Sequence, residues 1–257
     1  MRADKYFAEK FGSRTKSAEA IEKGLVLVNG KTVKPKDEIK ETDKITFLDN
    51  VQRYVSNGGY KLEKALNEFS FVCKDKVFAD IGASTGGFTH CLLLNGAKRV
   101  YAVDVGESLL HESLQADTRI VRMENTNARY LTSEDFSERI DGVVTDVSFI
   151  SLRLIFPPIA SILQEDGEAL VLIKPQFECE NKHIGKSGIV HPSAHAKIIE
   201  KVLSYAEESG FYPFAITTAP IRKGKNVEYV LLVKRIQKGS KSHKSIIDDA
   251  IQLLKQE

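Results

Sequence analysis

With 257 residues, 42% hydrophobic and 28% charged, the chain is long enough for one good-sized domain and a small one. A formal net charge of +2 is too small to mark a nucleic-acid partner by itself, so such a role has to come from local basic clusters. No run approaches the roughly 18 apolar residues that span a bilayer, Met-Arg-Ala-Asp-Lys at the start holds no apolar signal core, and Cys73, Cys91 and Cys179 show no zinc or Cys-x-x-Cys spacing, so a cytoplasmic location and reduced thiols are expected.

Residues 1–50 read as a small α+β module. Ala3 to Phe11 suits a helix ended by Gly12; Ser13 or Thr15 can cap a second helix that runs to Lys23 and closes at Gly24. Asn29-Gly30 between Leu25–Val28 and Lys31–Val33 is a type I′ hairpin signal, and Lys44–Leu48 is a further strand. Arg2-x-Asp4, Ser13-Arg14-Thr15-Lys16-Ser17-x-x-Ala20-Ile21 and Gly24-x-Val26-x-Val28-Asn29-Gly30-x-x-Val33 together resemble the RNA-binding domain named after ribosomal small-subunit protein four. Arg2, Arg14, Lys16, Lys23, Lys31 and Lys34 are the expected RNA contacts, since basic side chains answer phosphates. Glu19, Glu22, Asp37 and Glu38 dilute that charge, so the module alone should bind weakly.

Residues 51–57 are expected to be a linker, followed from Gly58 by an amphipathic helix with Leu62, Ala65, Leu66 and Phe69 on one side. Val77 to Asp80 reads as a buried strand, Gly82 to Gly87 as a tight turn, Phe88 to Leu94 as a helix stopped by Gly96, and Val100 to Val103 as a second strand ending at Asp104. Glycines in such a loop let a ligand approach the backbone, and a carboxylate ending the second strand can accept from ribose hydroxyls. Gly82-x-x-x-Gly86-Gly87 fits a dinucleotide fingerprint poorly and looks like the loop of S-adenosylmethionine (SAM) methyltransferases. SAM is therefore the expected cofactor, held by Asp80, Gly82, Ala83, Ser84, Gly86, Gly87, Phe88, Asp104 and Asn127, with Asn127 reading the adenine edge.

Further strands are expected at Ile120–Met123, Asp141–Asp146 and Ala169–Lys174, with Pro157-Pro158 breaking or starting a helix. Phe177 to Pro192 has no apolar period and reads as a mobile loop over the site. Ser193 can cap a long helix, Phe211–Thr218 and Val227–Lys234 form a closing hairpin, and Ser245–Lys255 is a terminal helix. Strands alternating with helices predict a parallel α/β sheet, Rossmann-like, over residues 58–238, with 239–257 as a separate helical tail.

Lys61 opens the first helix of that domain, Asp146 and Lys174 end strands, and Glu228 begins the last one. In an open parallel sheet, ligands bind at the carboxyl ends of the strands. Gly58-Gly59-x-Lys61-Leu62, Thr145-Asp146-Val-Ser148-Phe149-Ile150-Ser151-Leu152, Leu172-Ile173-Lys174-Pro175-Gln176-Phe177-Glu178 and Asn226-x-Glu228-Tyr229 resemble the Lys-Asp-Lys-Glu tetrad of FtsJ-like RNA ribose 2′-O-methyltransferases. With the N-terminal module the chain is similar to the haemolysin A (TlyA) family over residues 1–236, departing from it at Asn57, where that family has Arg. The resemblance implies a SAM-dependent enzyme that methylates a ribose 2′-hydroxyl, of cytidine, in the RNA of ribosomal subunits. Lys61, Asp146, Lys174 and Glu228 would be catalytic, Lys174 as a base or an orienting cation, and no metal is required. The alternatives are a membrane-active haemolysin, which the lack of a spanning or long basic amphipathic stretch opposes, and a non-enzymatic ribosome-binding factor, which the complete tetrad opposes.

Overall fold

The computed structural model describes residues 1–22, 24–47, 53–222 and 224–255. The chain forms two compact units that divide after Arg53. Tyr54 to Asn57 therefore belong to the second unit, not to a linker: the Tyr54 ring is fully buried, edge-on to Tyr60 and to His90, and Val55 donates its N–H to His90 Nδ1 at 3.2 Å.

In the first unit the expected opening helix is two short ones, α1 (Ala3–Tyr6) and α2 (Ala8–Phe11), because Phe7 leaves the helical region at φ −93°, ψ 5° and turns its ring into the core. Helix α3 (Arg14–Glu22) and strands β1 (Val26–Val28), β2 (Lys31–Thr32) and β3 (Ile45–Phe47) follow. Asn29 and Gly30 both take positive φ, the geometry a type I′ turn needs. β1 is the central strand, antiparallel to both neighbours, and Val26, Val28, Ile21, Ile39, Ala3 and Phe7 make the core.

The second unit is built on a seven-stranded sheet. Its strands are β4 (Val77–Ile81), β5 (Arg99–Val103), β6 (Ile120–Met123), β7 (Ile140–Thr145), β8 (Leu163–Ile173), β9 (Tyr212–Thr218) and β10 (Tyr229–Lys234). They lie in the order β6-β5-β4-β7-β8-β10-β9; β4 to β8 run parallel and β10 runs antiparallel to both β8 and β9. The path leaves β4 toward β5 and β6 and then returns to its other side with β7, so a crevice opens at the carboxyl end of β4. β4 is buried on both faces: Val77, Ala79 and Ile81 join one core and Phe78 the other. Cys73 and Cys91 are buried, Cys179 is half-buried, and all are unbridged.

Helices α4 (Gly58–Phe69) and α5 (Gly87–Leu94) begin side by side. Glycine permits this: a Cβ on Gly59 would lie 2.1 Å from the Tyr54 ring, and one on Gly87 would lie 2.2 Å from Ser56 Oγ. Between β5 and β8 lie α6 (Glu112–Gln115) and α7 (Phe156–Ile162), whose first turn takes Pro157-Pro158 as a helix start. β8 begins earlier than its apolar run suggests, with a register shift against β7 that absorbs residues 164–167.

The stretch 177–192 is not a bare loop. Helix α8 (Pro175–Glu178) opens it, Ile184 bridges Val190, Val190 is buried, and Asn226 ties the turn down by accepting from Val190 N–H at 2.8 Å and donating to Gly188 O at 2.9 Å. Only Glu178 and Val190 are buried in this stretch, which leaves no period to read. Ser193 does not cap helix α9 (His195–Glu208); a 3-10 turn over Pro192–Ala194 leads into it, capped by the His191 ring. The tail is part of the second unit as well: helix α10 (His243–Lys255) packs on β9 and α9 through Ile246 and Ala250, and Lys241 N–H bonds to Pro213 O. Among the described residues no helix is long and apolar enough to cross a membrane.

Candidate active site

The loop after β4 starts with Gly82 at φ +83°, where a Cβ would sit 3.0 Å from the Asp146 carbonyl oxygen; only glycine lets the ends of β4 and β7 approach this closely. Asp104, at the end of β5, accepts from Ser84 N–H at 2.8 Å and from Gly106 N–H at 2.9 Å, so it orders the glycine loop while its remaining lone pairs face a cleft of about 720 Å³. Gly82, Ser84 and Asn127 line the same cleft, and the Asn127 side chain accepts from Arg129 N–H. A second cleft of about 360 Å³ shares Gly82, Ser84, Asp146 and Ser148 with the first and continues past Ala83, Gly87 and Phe88 to Lys61 and Lys174.

Two of the expected cofactor residues line neither cleft. Asp80 is fully buried because the strand pleat turns it toward α5, where its Oδ2 accepts from Thr89 Oγ1 at 2.6 Å. Burial lifts its carboxyl to about 7, against the Thr89 hydrogen bond that favours the ion. Gly86 faces away as well: a Cβ there would meet Leu110 and Leu114. Both residues support the loop from behind.

The four tetrad residues come together. Lys61 Nζ lies 2.7 Å from Glu228 Oε2 and 3.3 Å from Asp146 Oδ2; Lys174 Nζ lies 2.5 Å from Asp146 Oδ1 and donates to Ser148 Oγ at 2.7 Å. Burial pushes the Lys61 ammonium down, but the Asp146 and Glu228 carboxylates outweigh it and leave its affinity for the proton above the ordinary lysine value. Lys174 is only 8% exposed and extended (φ −107°, ψ 100°), as a residue before proline should be; Pro175 then opens α8 at its first position.

The motifs carried further residues to which sequence reasoning assigned no role. Glu178, buried in α8, accepts from Leu152 N–H and Ser151 Oγ, both at 2.7 Å, and so clamps the loop after β7 to the segment after Lys174. Its burial raises its carboxyl above the ordinary range, against those two bonds. Phe149, in that loop, is 90% exposed at φ +61°, a conformation bulky residues avoid, and its ring centroid is 5.0 Å from that of Phe177. An apolar ring held outward beside a charged cleft is a signal, but only exposure reveals it.

In the first unit, Arg2 and Arg14 both pair with the buried Asp4, at 2.8 and 3.0 Å, and their hydrogen bonds hold the Asp4 carboxyl below the ordinary range. Both stay about half exposed, and Lys16, Lys31 and Lys34 are exposed outright; Lys23 lies outside the described residues.

A Rossmann-like sheet with an antiparallel closing hairpin, a glycine loop and an acidic residue at the tip of the second strand defines a SAM-dependent methyltransferase. The FtsJ-like methyltransferase family matches residues 54–236 and the S4 domain matches residues 1–45. The chain belongs to the FtsJ-like methyltransferases, in the haemolysin A (TlyA) group that carries this N-terminal domain. It is 43% identical to Hemolysin A of Brachyspira hyodysenteriae over 236 residues, covering 90% of this chain and 98% of that one. It is 39% identical to the 16S/23S rRNA (cytidine-2'-O)-methyltransferase TlyA of Mycobacterium tuberculosis over 226 residues, covering 86% and 84%. A solved structure from Streptococcus thermophilus, provisionally described as a hemolysin, superposes with a TM-score of 0.74 at 38% identity, covering 100% of this chain and 97% of that one.

Proposed function

We propose that this chain methylates a ribose 2′-hydroxyl of ribosomal RNA, cytidine being the nucleoside named for its mycobacterial relative. The observation that carries the reading is the cluster Lys61–Asp146–Lys174–Glu228, joined by ion pairs and opening onto a cleft continuous with the glycine loop. The residues present fit SAM: in the larger cleft Asp104 offers acceptors for the ribose and Asn127 its side-chain NH2 as a donor for the adenine edge, and Gly82 and Ser84 carry that cleft into the smaller one beside Asp146. SAM, when bound there, supplies an electrophilic methyl group.

The protein's own task is to present a weak nucleophile. A ribose oxygen must be aligned with the methyl and lose its proton as the bond forms; alignment alone supplies roughly 7–11 kcal/mol. Lys174 is the group that meets that oxygen, either steering its lone pair as a cation or taking its proton as a base. Asp146 sits between the lysines and fixes both, and Glu228 holds Lys61 from the other side. Ser148 pins Lys174, so its rotamer is set before substrate arrives. Phe149 offers its exposed ring as a platform for the base of the nucleotide. RNA affinity comes from the first unit through Arg2, Arg14, Lys16, Lys31 and Lys34, to which the sequence adds Lys23.

The test is purified protein with labelled SAM and unmodified ribosomal subunits, followed by mapping of the labelled nucleotide. Lys174→Ala should lower turnover roughly 10²–10⁴-fold while SAM binding persists. Lys174→Arg separates the roles: a guanidinium cannot shed its proton, so an active Arg variant excludes the base and leaves the orienting cation. Wild-type turnover by the Ala variant would remove the tetrad from the reaction.

A further inference from the structure

A third cleft, of about 260 Å³, is lined by both partners of the Lys61–Glu228 ion pair. Arg222, Lys225, Asn226 and Tyr60 line it together with that pair, and Arg222 also lines the second cleft beside Lys174 and Asp146. We propose that this third cleft is a phosphodiester-binding subsite in which Arg222, with Lys225, holds the phosphate that follows the methylated ribose. The proposal rests on the ribose-methylating reading above.

Substrate chemistry favours a cation at this place. A 2′-hydroxyl sits on the carbon next to the one bearing the 3′-phosphodiester, so a protein that grips the 2′ oxygen draws that phosphate to the edge of the same site. The edge already carries the carboxylates of Asp146 and Glu228, which repel it. Neither tetrad lysine answers it, because Lys174 is committed to Asp146, and Lys61 to Asp146 and Glu228. Among the described residues no carboxylate pairs with Arg222 or Lys225, which leaves their charges for a ligand. A guanidinium matches phosphate in shape and donor number, and one at the meeting of the two clefts reaches an anion next to the reacting ribose.

The loop that carries these residues is built to hold them. Ala219 N–H bonds to Glu228 O at its base, Lys225 N–H closes a turn onto Arg222 O, and Asn226 anchors its end to Gly188 and Val190. The segment spanning Gly188 and Val190 thus sets the position of the subsite, so the two loops act as one unit.

The experiment uses the full chain, labelled SAM and unmodified ribosomal subunits, comparing wild type with Arg222→Gln and Arg222→Lys over a series of salt concentrations. Arg222→Gln should raise KM for subunits about 10- to 100-fold, the loss of one charged hydrogen-bonding contact. The slope of log(1/KM) against log salt should flatten by about 0.7–0.9, one phosphate fewer. Arg222→Lys should restore the slope and part of the affinity, and SAM affinity by calorimetry should be the same in all three. An active wild type with an unaltered KM and slope in Arg222→Gln overturns the subsite alone. So does a fall in kcat at unchanged KM, or a loss of SAM affinity, which would assign Arg222 to the reaction or to the cofactor. A wild type that labels no ribose overturns the proposed function and the subsite together.

Discussion

Asp80 keeps its proton where ordinary aspartates have lost it, and the consequence can be measured. In the folded chain burial holds the carboxyl neutral up to about pH 7, whereas in the unfolded chain it ionises near 4. Between those values the folded state binds more protons, so this group lowers stability as pH rises, by up to about 1.4 kcal/mol per pH unit, with no further change above about 7. Asp80→Asn cannot ionise. Its melting temperature relative to wild type should climb from pH 4 to pH 7 and then level off; a difference that stays constant with pH would mean that Asp80 is ionised in the fold. Asp104 differs in place, lying in a cleft wall. Asp104→Ala removes the acceptors offered to a ribose diol and releases the Ser84 and Gly106 amides, and charged hydrogen bonds are worth about 1.5–3 kcal/mol each. SAM affinity by calorimetry should drop at least about tenfold, and an unchanged value would take Asp104 out of the cofactor site.

At the level of elements, the proposed active site is a meeting of strand and helix ends held by glycine contacts and buried polar clamps. β7 and β8 deliver Asp146 and Lys174 side by side because they are parallel neighbours, and β10 delivers Glu228 because it pairs with β8 in the opposite direction, setting Tyr229 against Ile173. Helix α10 lies away from this edge yet covers β9 and α9, with Ile246 fully buried. Ile246→Ala should destabilise the second unit by about 2–5 kcal/mol, the range for truncating a large buried aliphatic, with little change in SAM affinity. A denaturation midpoint equal to wild type would show that α10 is dispensable to the fold.

At the level of the whole molecule, the S4 domain match and the methyltransferase match fall on units with separate cores. A chain starting at Tyr54 keeps every residue lining the clefts, so it should bind SAM with wild-type affinity. It should lose productive methylation of subunits, since the exposed Lys16, Lys31 and Lys34 and the half-exposed Arg2 and Arg14 go with the first unit. Full-rate methylation by the truncated enzyme would give that unit another purpose. The cut has to fall before Tyr54, because that ring packs against Gly59 and a cut at the expected linker end would strip it away.

Local chemistry was sufficient for much of this. Asn29-Gly30 specified its hairpin, Pro175 specified the extended Lys174, and apolar runs ending in Asp104, Asp146 and Lys174 specified strands whose ends line the clefts. These features depend on backbone torsions and on side-chain alternation, which neighbouring residues set. What the sequence could not determine depends on partners distant along the chain. Asp80 and Gly86 resemble cleft residues until Thr89, Leu110 and Leu114 are seen behind them. Glu178 is one acid among many until it is found bonded to Ser151 and Leu152, and the stretch 177–192 has no period because its ties run to Asn226. Only the tertiary fold decides which lysines are already matched by carboxylates and that, among the described residues, Arg222 and Lys225 are left without a carboxylate beside the tetrad, because burial and charge pairing are properties of packed neighbours rather than of sequence order.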